Sequence, residues 1–139
     1  YEVSQQGMLS PITDDLKEGL DESAYLVPEL MYQQKGYTLN IVGIEQVDGK
    51  DAIDVELTAP SGKKSHRFYD KETYLLVKTT KVEKGPQGPV TQQQYYKNYQ
   101  KVDGVAFAKE SVMDLGQFKM NLNFETIKVN QGLKLEDLK

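Results

Sequence analysis

The sequence predicts an α+β fold in which an N-terminal helical segment precedes a strongly curved antiparallel sheet, a meander of about six or seven strands. Two observations predict the sheet and one the helices. Between Tyr37 and Lys81 three extended stretches are joined by turns spelled DGK and PSGK. Within Asp51 to Ala59 the apolar Ile53, Val55, Leu57 and Ala59 alternate with Asp54, Glu56 and Thr58. That is the period-two pattern of a half-buried antiparallel strand with one face in water. The helical pattern comes first and the strands run consecutively after it, so the helices must cover one face of the sheet to bury their own apolar stripe.

Residues 1–9 read as an extended lead-in with no clear period. Residues 10–35 read as helical. Ser10-Pro11 looks like an N-cap with proline at the first helical position, and Asp14 and Asp15 lie near the positive end of the helix dipole. Leu16, Leu20, Ala24 and Val27 make one apolar stripe, with Lys17, Glu18, Asp21 and Glu22 around it. Pro28 cannot continue the hydrogen-bond ladder, so a break falls there, followed by a second short helix to about Gln33 that Gly36 ends.

Residues 36–130 read as the meander. Asp48-Gly49 supplies the positive φ values of a type I′ hairpin turn, and Asp103-Gly104 repeats it. Pro60-Ser61-Gly62 turns the chain between them, and a further turn falls at Asp70 to Thr73. Alternation puts Arg67 and Tyr69 on one side of their strand and His66 and Phe68 on the other. Gly85-Pro86-Gln87-Gly88-Pro89 reads as a long hairpin loop, because no strand interior tolerates that composition. Strands follow at Val90 to Val102, Val105 to Leu115 and Gln117 to Asn130. In the last, Phe118, Met120, Leu122 and Phe124 share a face while Ile127 and Val129 fall on the opposite parity, which suggests a bulge near Glu125. A bent strand is what a strongly curved sheet needs. Residues 131–139 form a tail with Leu133, Leu135 and Leu138.

At 139 residues the chain fits a single domain, which at this size buries roughly 68% of its unfolded surface. A net charge of −4 argues against a nucleic-acid surface. Lys63, Lys64 and Arg67 are the nearest approach to a basic patch and read as solvated positions of a turn and strand. The absence of cysteine removes thiolate metal sites, thiol nucleophiles and disulfides. No apolar run approaches the roughly 20 residues of a membrane-spanning helix. The chain opens at Tyr1 without an initiator methionine, a basic n-region or an apolar h-region, so any export signal has been removed or lies outside it, and it reads as a fragment of a longer chain.

No catalytic or metal constellation stands out, and no cofactor is expected. His66 is the sole histidine, which leaves no two-histidine metal motif. Ser61 and Ser65 lie close to it in sequence, but no nucleophile-elbow pattern surrounds either. Asp54 and Glu56 share a strand face, and alternation puts them on the solvent side rather than in an acid–base pair. Tyr95 and Tyr99 read as cross-strand packing with hydroxyls at the rim.

Three stretches carry a resemblance: VDGKDAIDVELTAPSGKKSHRFYDKETYLLVKTT, YYKNYQKVDGVAFAKESV and FETIKVNQGL. Together they resemble the C-terminal part of bacterial outer-membrane lipoprotein-sorting domains, the LolA-like periplasmic carriers. The forms they resemble are found in the Bacteroidetes, and related domains are attached to insulinase-type zinc peptidases. The family's strand-turn-strand "YFD-x-ETGLL" is matched by Phe68, Tyr69, Asp70, Glu72, Thr73, Leu75 and Leu76. Its next hairpin is matched by Tyr99, Val102, Asp103, Gly104, Val105 and Phe107, and its closing strand by Val129 and Asn130. The match covers roughly residues 36–133. Tyr74 stands where the family usually has glycine and Ala108 where it often has proline.

The resemblance implies a half-barrel whose concave apolar face, partly covered by helices, makes a cavity for acyl chains. Ile53, Val55, Leu57, Phe118, Met120, Leu122 and Phe124 are the candidates to face such a ligand, with methionine able to adapt to it. The implied function is a non-catalytic periplasmic domain binding lipid, lipoprotein or another apolar partner, associated with membranes peripherally. The alternatives are an accessory domain of an insulinase-type zinc peptidase, whose His-x-x-Glu-His would lie upstream, and a structural interaction module. No individual ligand-binding residue carries over from the family by motif.

Overall fold

The computed structural model describes residues 2–3, 9–10, 17, 25, 27–85 and 88–129. The chain divides into two compact units, Tyr1–Thr38 and Leu39–Lys139.

In the first unit β1 (Glu2–Val3) and β2 (Leu9–Ser10) pair antiparallel, Glu2 opposite Ser10. Ser10 thus ends a strand, and residues 11–16, where the expected helix would begin, lie outside the described residues. Of the expected helix, Lys17 is helical and exposed, while Leu16, Leu20 and Ala24 lie outside the described residues. Pro28 opens a 3-10 turn, Pro28–Leu30, at the position where a missing N–H costs nothing. The turn region closes as glycine would have it. Gly36 takes φ +78°, the Tyr37 N–H donates to the Tyr32 carbonyl at 2.9 Å, and the Gly36 N–H donates to the Gln33 carbonyl at 3.2 Å. This pair of bonds is a Schellman motif.

The second unit carries a curved antiparallel sheet of seven strands in sequence order. These are β3 (Thr38–Val47), β4 (Lys50–Thr58), β5 (Lys64–Asp70), β6 (Leu76–Gly85), β7 (Gly88–Val102), β8 (Val105–Asp114) and β9 (Lys119–Asn123). β3 and β9 are its edges. Both Asp-Gly turns have the left-handed pair that type I′ demands, with φ +50° and +80° at Asp48-Gly49 and +50° and +85° at Asp103-Gly104. Asp70 builds the β5–β6 turn by accepting hydrogen bonds from the Glu72 N–H (3.0 Å), the Thr73 N–H (2.7 Å) and the Thr73 hydroxyl (2.9 Å). Those bonds favour the ionised carboxylate, the Thr73 N–H most of all, and hold its pKa below the usual aspartate value. Tyr74 then takes φ +57°, the left-handed geometry for which glycine is the natural residue.

Three expectations for the sheet are corrected. β6 and β7 extend to Gly85 and Gly88, which face each other in register, and Pro89 lies within β7 opposite Lys84. The five-residue loop is therefore a tight hairpin, with residues 86–87 outside the described residues. β9 ends at Asn123, and after the Phe124 N–H donates to the Lys109 carbonyl at 2.8 Å the chain leaves the ladder. The change of parity at Ile127 and Val129 thus follows the end of a strand rather than a bulge, and Asn130 lies outside the described residues. The irregularities fall elsewhere, as a register shift at Phe68/Tyr69 between β5 and β6 and as Asn98, at φ +54° inside β7.

Register fixes the two faces. One row runs Asp54, Phe68, Lys78, Tyr95, Val112, Asn121, and its neighbour on the other face runs Val55, Arg67, Thr79, Gln94, Met113, Met120. The core cluster belongs with the first row. It consists of buried Val47, Ala52 and Phe68, with Val77 and Tyr95 packed against them. Lys78 lies over the Phe68 ring at 4.7 Å. The Asp54 side of β4 is consequently no solvent face, since Ala52 is 1% and Asp54 9% exposed. A carboxylate survives there because His66 pairs with it.

Candidate functional site

The residue types of an acyl-binding surface gather on the second face. Alternation along β4 puts Ile53, Val55 and Leu57 there, opposite Tyr69, Arg67 and Ser65. Alternation along β9 puts Met120 and Leu122 there, opposite Met113 and Ser111, and Phe118 and Phe124 continue the same parity at the two ends of the strand. The five predicted residues that lie within strands therefore project to one side of the sheet, and Phe118 and Phe124 flank β9 immediately outside its ladder. They do not form one cluster. Five inter-strand steps separate β4 from β9, about 24 Å along the sheet at the usual strand spacing. The two groups also differ in exposure. Leu57 is 1% exposed, whereas Phe118, Met120, Leu122 and Phe124 are 56%, 40%, 41% and 48% exposed. Four large exposed apolar side chains, two on an edge strand and one just beyond each of its ends, are the kind of patch that marks a binding surface.

The sequence did not show what lies between the groups. Ser65, Arg67, Thr79, Gln94 and Ser111 form a polar stripe across β5 to β8 on the same face. The Gln94 amide donates to the buried Ser111 hydroxyl at 2.8 Å. Alternation had placed Arg67 and Tyr69 on a common side, but which residues of other strands join them depends on register.

The opposite face holds a close imidazole–carboxylate contact. His66 Nδ1 lies 2.9 and 3.1 Å from the two Asp54 carboxylate oxygens, with the imidazole stacked on Phe68 at 6.2 Å. An Asp–His pair can orient a general base, but a nucleophile is also required. Ser65 projects to the other face, and Ser61 sits in the β4–β5 turn, where its hydroxyl faces the Lys63 N–H at 3.5 Å. Among the described residues no group of three or more His, Asp or Glu could hold a metal ion.

A cleft of about 270 Å³ opens at one end of the sheet, walled by Val47, Ala52, Leu75, Val77, Lys97 and Tyr99 among others. At its mouth Lys97 Nζ meets Asp48 at 2.8 Å, and this hydrogen bond raises the lysine's pKa. The Tyr99 hydroxyl donates to the Leu76 carbonyl, and the Tyr95 hydroxyl to Gln93 at 3.0 Å, the rim bonds expected of packing tyrosines. None of the seven apolar candidates lines this cleft, and its volume lies at the low end for ligand pockets.

Fold and surface together define a curved antiparallel sheet with an apolar-edged face. Comparison with solved structures finds the same class. A protein from Vibrio parahaemolyticus, provisionally named an outer membrane lipoprotein-sorting protein domain, matches with a TM-score of 0.57 and 24% identity over 73% of this chain and 45% of its own. A DUF1329 family protein from Desulfovibrio piger ATCC 29098 matches with a TM-score of 0.57 and 18% identity over 70% of this chain and 43% of its own. The likeness is one of fold, and the chain spans less than half the length of either structure. No protein-family profile and no curated protein sequence matches the chain.

Proposed function

We propose that this chain is a non-catalytic binding domain of the bacterial envelope, periplasmic in location, that holds acyl chains of lipid or lipoprotein against the second face of its curved sheet. The observation that carries the reading is the group Phe118, Met120, Leu122 and Phe124, apolar and exposed, of which Met120 and Leu122 share a face with Ile53, Val55 and Leu57. The fold shared with a protein named for lipoprotein sorting supports it. Burying such a group under acyl chains gains about 25 cal/mol for each Å² of apolar surface removed from water. The methionines, Met113 among them, can adjust to chains of different shape.

The test is native mass spectrometry and calorimetry of the whole chain with 1-palmitoylglycerol and with a diacylated lipopeptide. Saturable binding at fixed stoichiometry is expected, weakened at least ten-fold in Met120→Glu and Leu122→Asp. Equal binding by these variants, or none by the wild type, would refute the reading. Attachment to a zinc peptidase is the competing reading, and neither matched structure bears on it.

A further inference from the structure

We propose that β3 is the docking edge for a second copy of this chain, the two β3 strands pairing antiparallel about a two-fold axis at Ile41 so that the sheets of both copies join into one. This is a different surface from the β9 group proposed to meet a lipid, at the other edge of the sheet.

The two edges are not alike. An edge strand offers a row of unpaired N–H and C=O groups, which monomeric proteins guard by keeping the strand short or by placing lysine or proline on it. β9 is guarded in this way, with five residues and Lys119 at its start. β3 is ten residues long, and from Thr38 to Ile44 it reads TLNIVGI, without charge or proline. Its large apolar side chains are exposed on both faces, Leu39 and Ile41 on one, Val42 and Ile44 on the other, and Ile41 is 72% exposed. A strand that ended a finished sheet would turn at least one polar face to water.

Main-chain geometry selects the partner. The two-residue Asp48-Gly49 turn makes Val47 and Lys50 a hydrogen-bonded pair, and the Gln46 amide donates to Asp51 at 3.1 Å in the same register. The odd-numbered residues of β3 therefore bond inward to β4, and the N–H and C=O groups of Thr38, Asn40, Val42 and Ile44 point outward. A strand that takes these bonds must be extended, uncharged and apolar on both faces, and β3 of a second copy meets each condition. With Ile41 opposite the partner's Ile41, Asn40 faces the partner's Val42 and Thr38 faces the partner's Ile44, about eight main-chain hydrogen bonds in all. Leu39 then lies opposite the partner's Gly43, where the space beside the backbone is open. The Glu45 carboxylates fall outside this ladder at its two ends, so a net charge of −4 on each copy brings no like charges together at the seam. Four exposed apolar side chains from each copy line up along it. An edge seam is small beside the roughly 1,200–2,000 Å² of a stable complex, so the dimer is a dissociable one. Pairing uses the long unguarded edge of both copies, and the assembly closes at two.

Sedimentation velocity of the whole chain, from low micromolar to near-millimolar concentration, tests this. A reversible monomer–dimer equilibrium is expected, weakened at least ten-fold by Ile41→Lys, which sets two like charges face to face on the axis. Ile41→Cys reads the register directly, because the chain has no cysteine of its own. A non-hydrogen-bonded antiparallel pair has its Cα atoms about 4.5 Å apart, within disulfide reach. Mild oxidation is therefore expected to link the Ile41→Cys protein into a covalent dimer. Ile44→Cys should stay unlinked, since its two copies lie about 20 Å apart along the strands. The Asn40, Val42 and Ile44 amides should exchange more slowly as the dimer forms. A chain monomeric throughout would overturn the proposal, and so would open-ended oligomers, which need unlike edges to meet. A dimer untouched by Ile41→Lys, or equal cross-linking at Ile41 and Ile44, would put the interface elsewhere and overturn it too. A monomer whose Val42 and Ile44 amides are already slow would give the edge to another segment of the chain and overturn the second copy as its occupant. If Ile41→Lys does not fold, the cross-linking comparison still decides.

Discussion

Tyr74 offers the sharpest test of the backbone reading, because an ordinary residue there occupies a glycine's conformation. At φ +57° its Cβ crowds the following carbonyl, a penalty of about 1–2 kcal/mol for an L-residue. The ring offsets little of this, being 71% exposed. Tyr74→Gly and Tyr74→Ala lose the same ring contacts and retain the Tyr74 N–H to Asp70 carbonyl bond of 2.8 Å. They differ in strain and in the freedom of the unfolded chain. Glycine removes the strain but gives back about 0.4–1 kcal/mol through unfolded-state entropy. The glycine variant should therefore be the more stable by about 0.5–1 kcal/mol, which corresponds to roughly 2–4 °C in Tm for a domain of this size. At most positions with negative φ the order is reversed, with alanine ahead. Thermal and urea unfolding followed by circular dichroism would read the difference. An alanine variant as stable as the glycine variant would mean that the β5–β6 turn does not hold this residue in the left-handed region.

The remaining predictions concern the turn carboxylate and the two apolar groups. Asp70 has its pKa lowered by the fold, so the stability it contributes is fully present above the unfolded aspartate value of about 3.9 and is lost as pH falls through the lower folded value. Urea midpoints measured from pH 6 to pH 2 should fall over that acid window, and Asp70→Asn should lower the neutral-pH midpoint and flatten the fall. A parallel curve in the variant would count against the Asp70 turn as the source. Leu57→Ala, at a site 1% exposed, should cost about 2–4 kcal/mol. Phe118→Ala, at a site 56% exposed, should cost under about 1 kcal/mol while weakening lipid binding. Equal stability losses at the two sites would contradict the difference in burial.

The turns were legible because their chemistry is local. Asp48-Gly49 and Asp103-Gly104 need nothing beyond their own φ preferences, and Gly36 needed only the turn before it. Strand faces were legible as well, so alternation alone puts Ile53 with Val55 and Met120 with Leu122. What could not be read depends on two strands at once. The shift at Phe68/Tyr69 exists only relative to β6, and the left-handed Asn98 carries no signature in QQQYYKNYQ beyond asparagine's tolerance of that region. Register is the missing quantity in each case. It puts Arg67 beside Thr79 and Gln94, holds the two apolar groups five strands apart, and brings His66 to Asp54. The proline and glycine of Gly85 to Pro89 misled in the other direction. Their composition suggested a loop, whereas a pairing between Gly85 and Gly88 needs only a tight turn, and Pro89 can enter the strand beside it.

Because every strand of the sheet pairs with its neighbour in sequence, the chain can assemble without bringing distant segments together. Long ladders join β6, β7 and β8, through the hairpins at Gly85/Gly88 and Asp103-Gly104. Closing those loops costs little chain entropy, so this three-stranded unit is the natural folding nucleus, and rapid folding for an all-antiparallel sheet follows from its short contact separations. β3 and β9, at the margins, are expected to add last. The amides of β7, which has a partner on either side, should be the slowest to exchange with solvent, and those of β9, the strand that presents Phe118 to Phe124, among the fastest. The exposed apolar group proposed to meet a lipid thus sits on the edge strand expected to open most readily, where a ligand would contribute most to holding it closed.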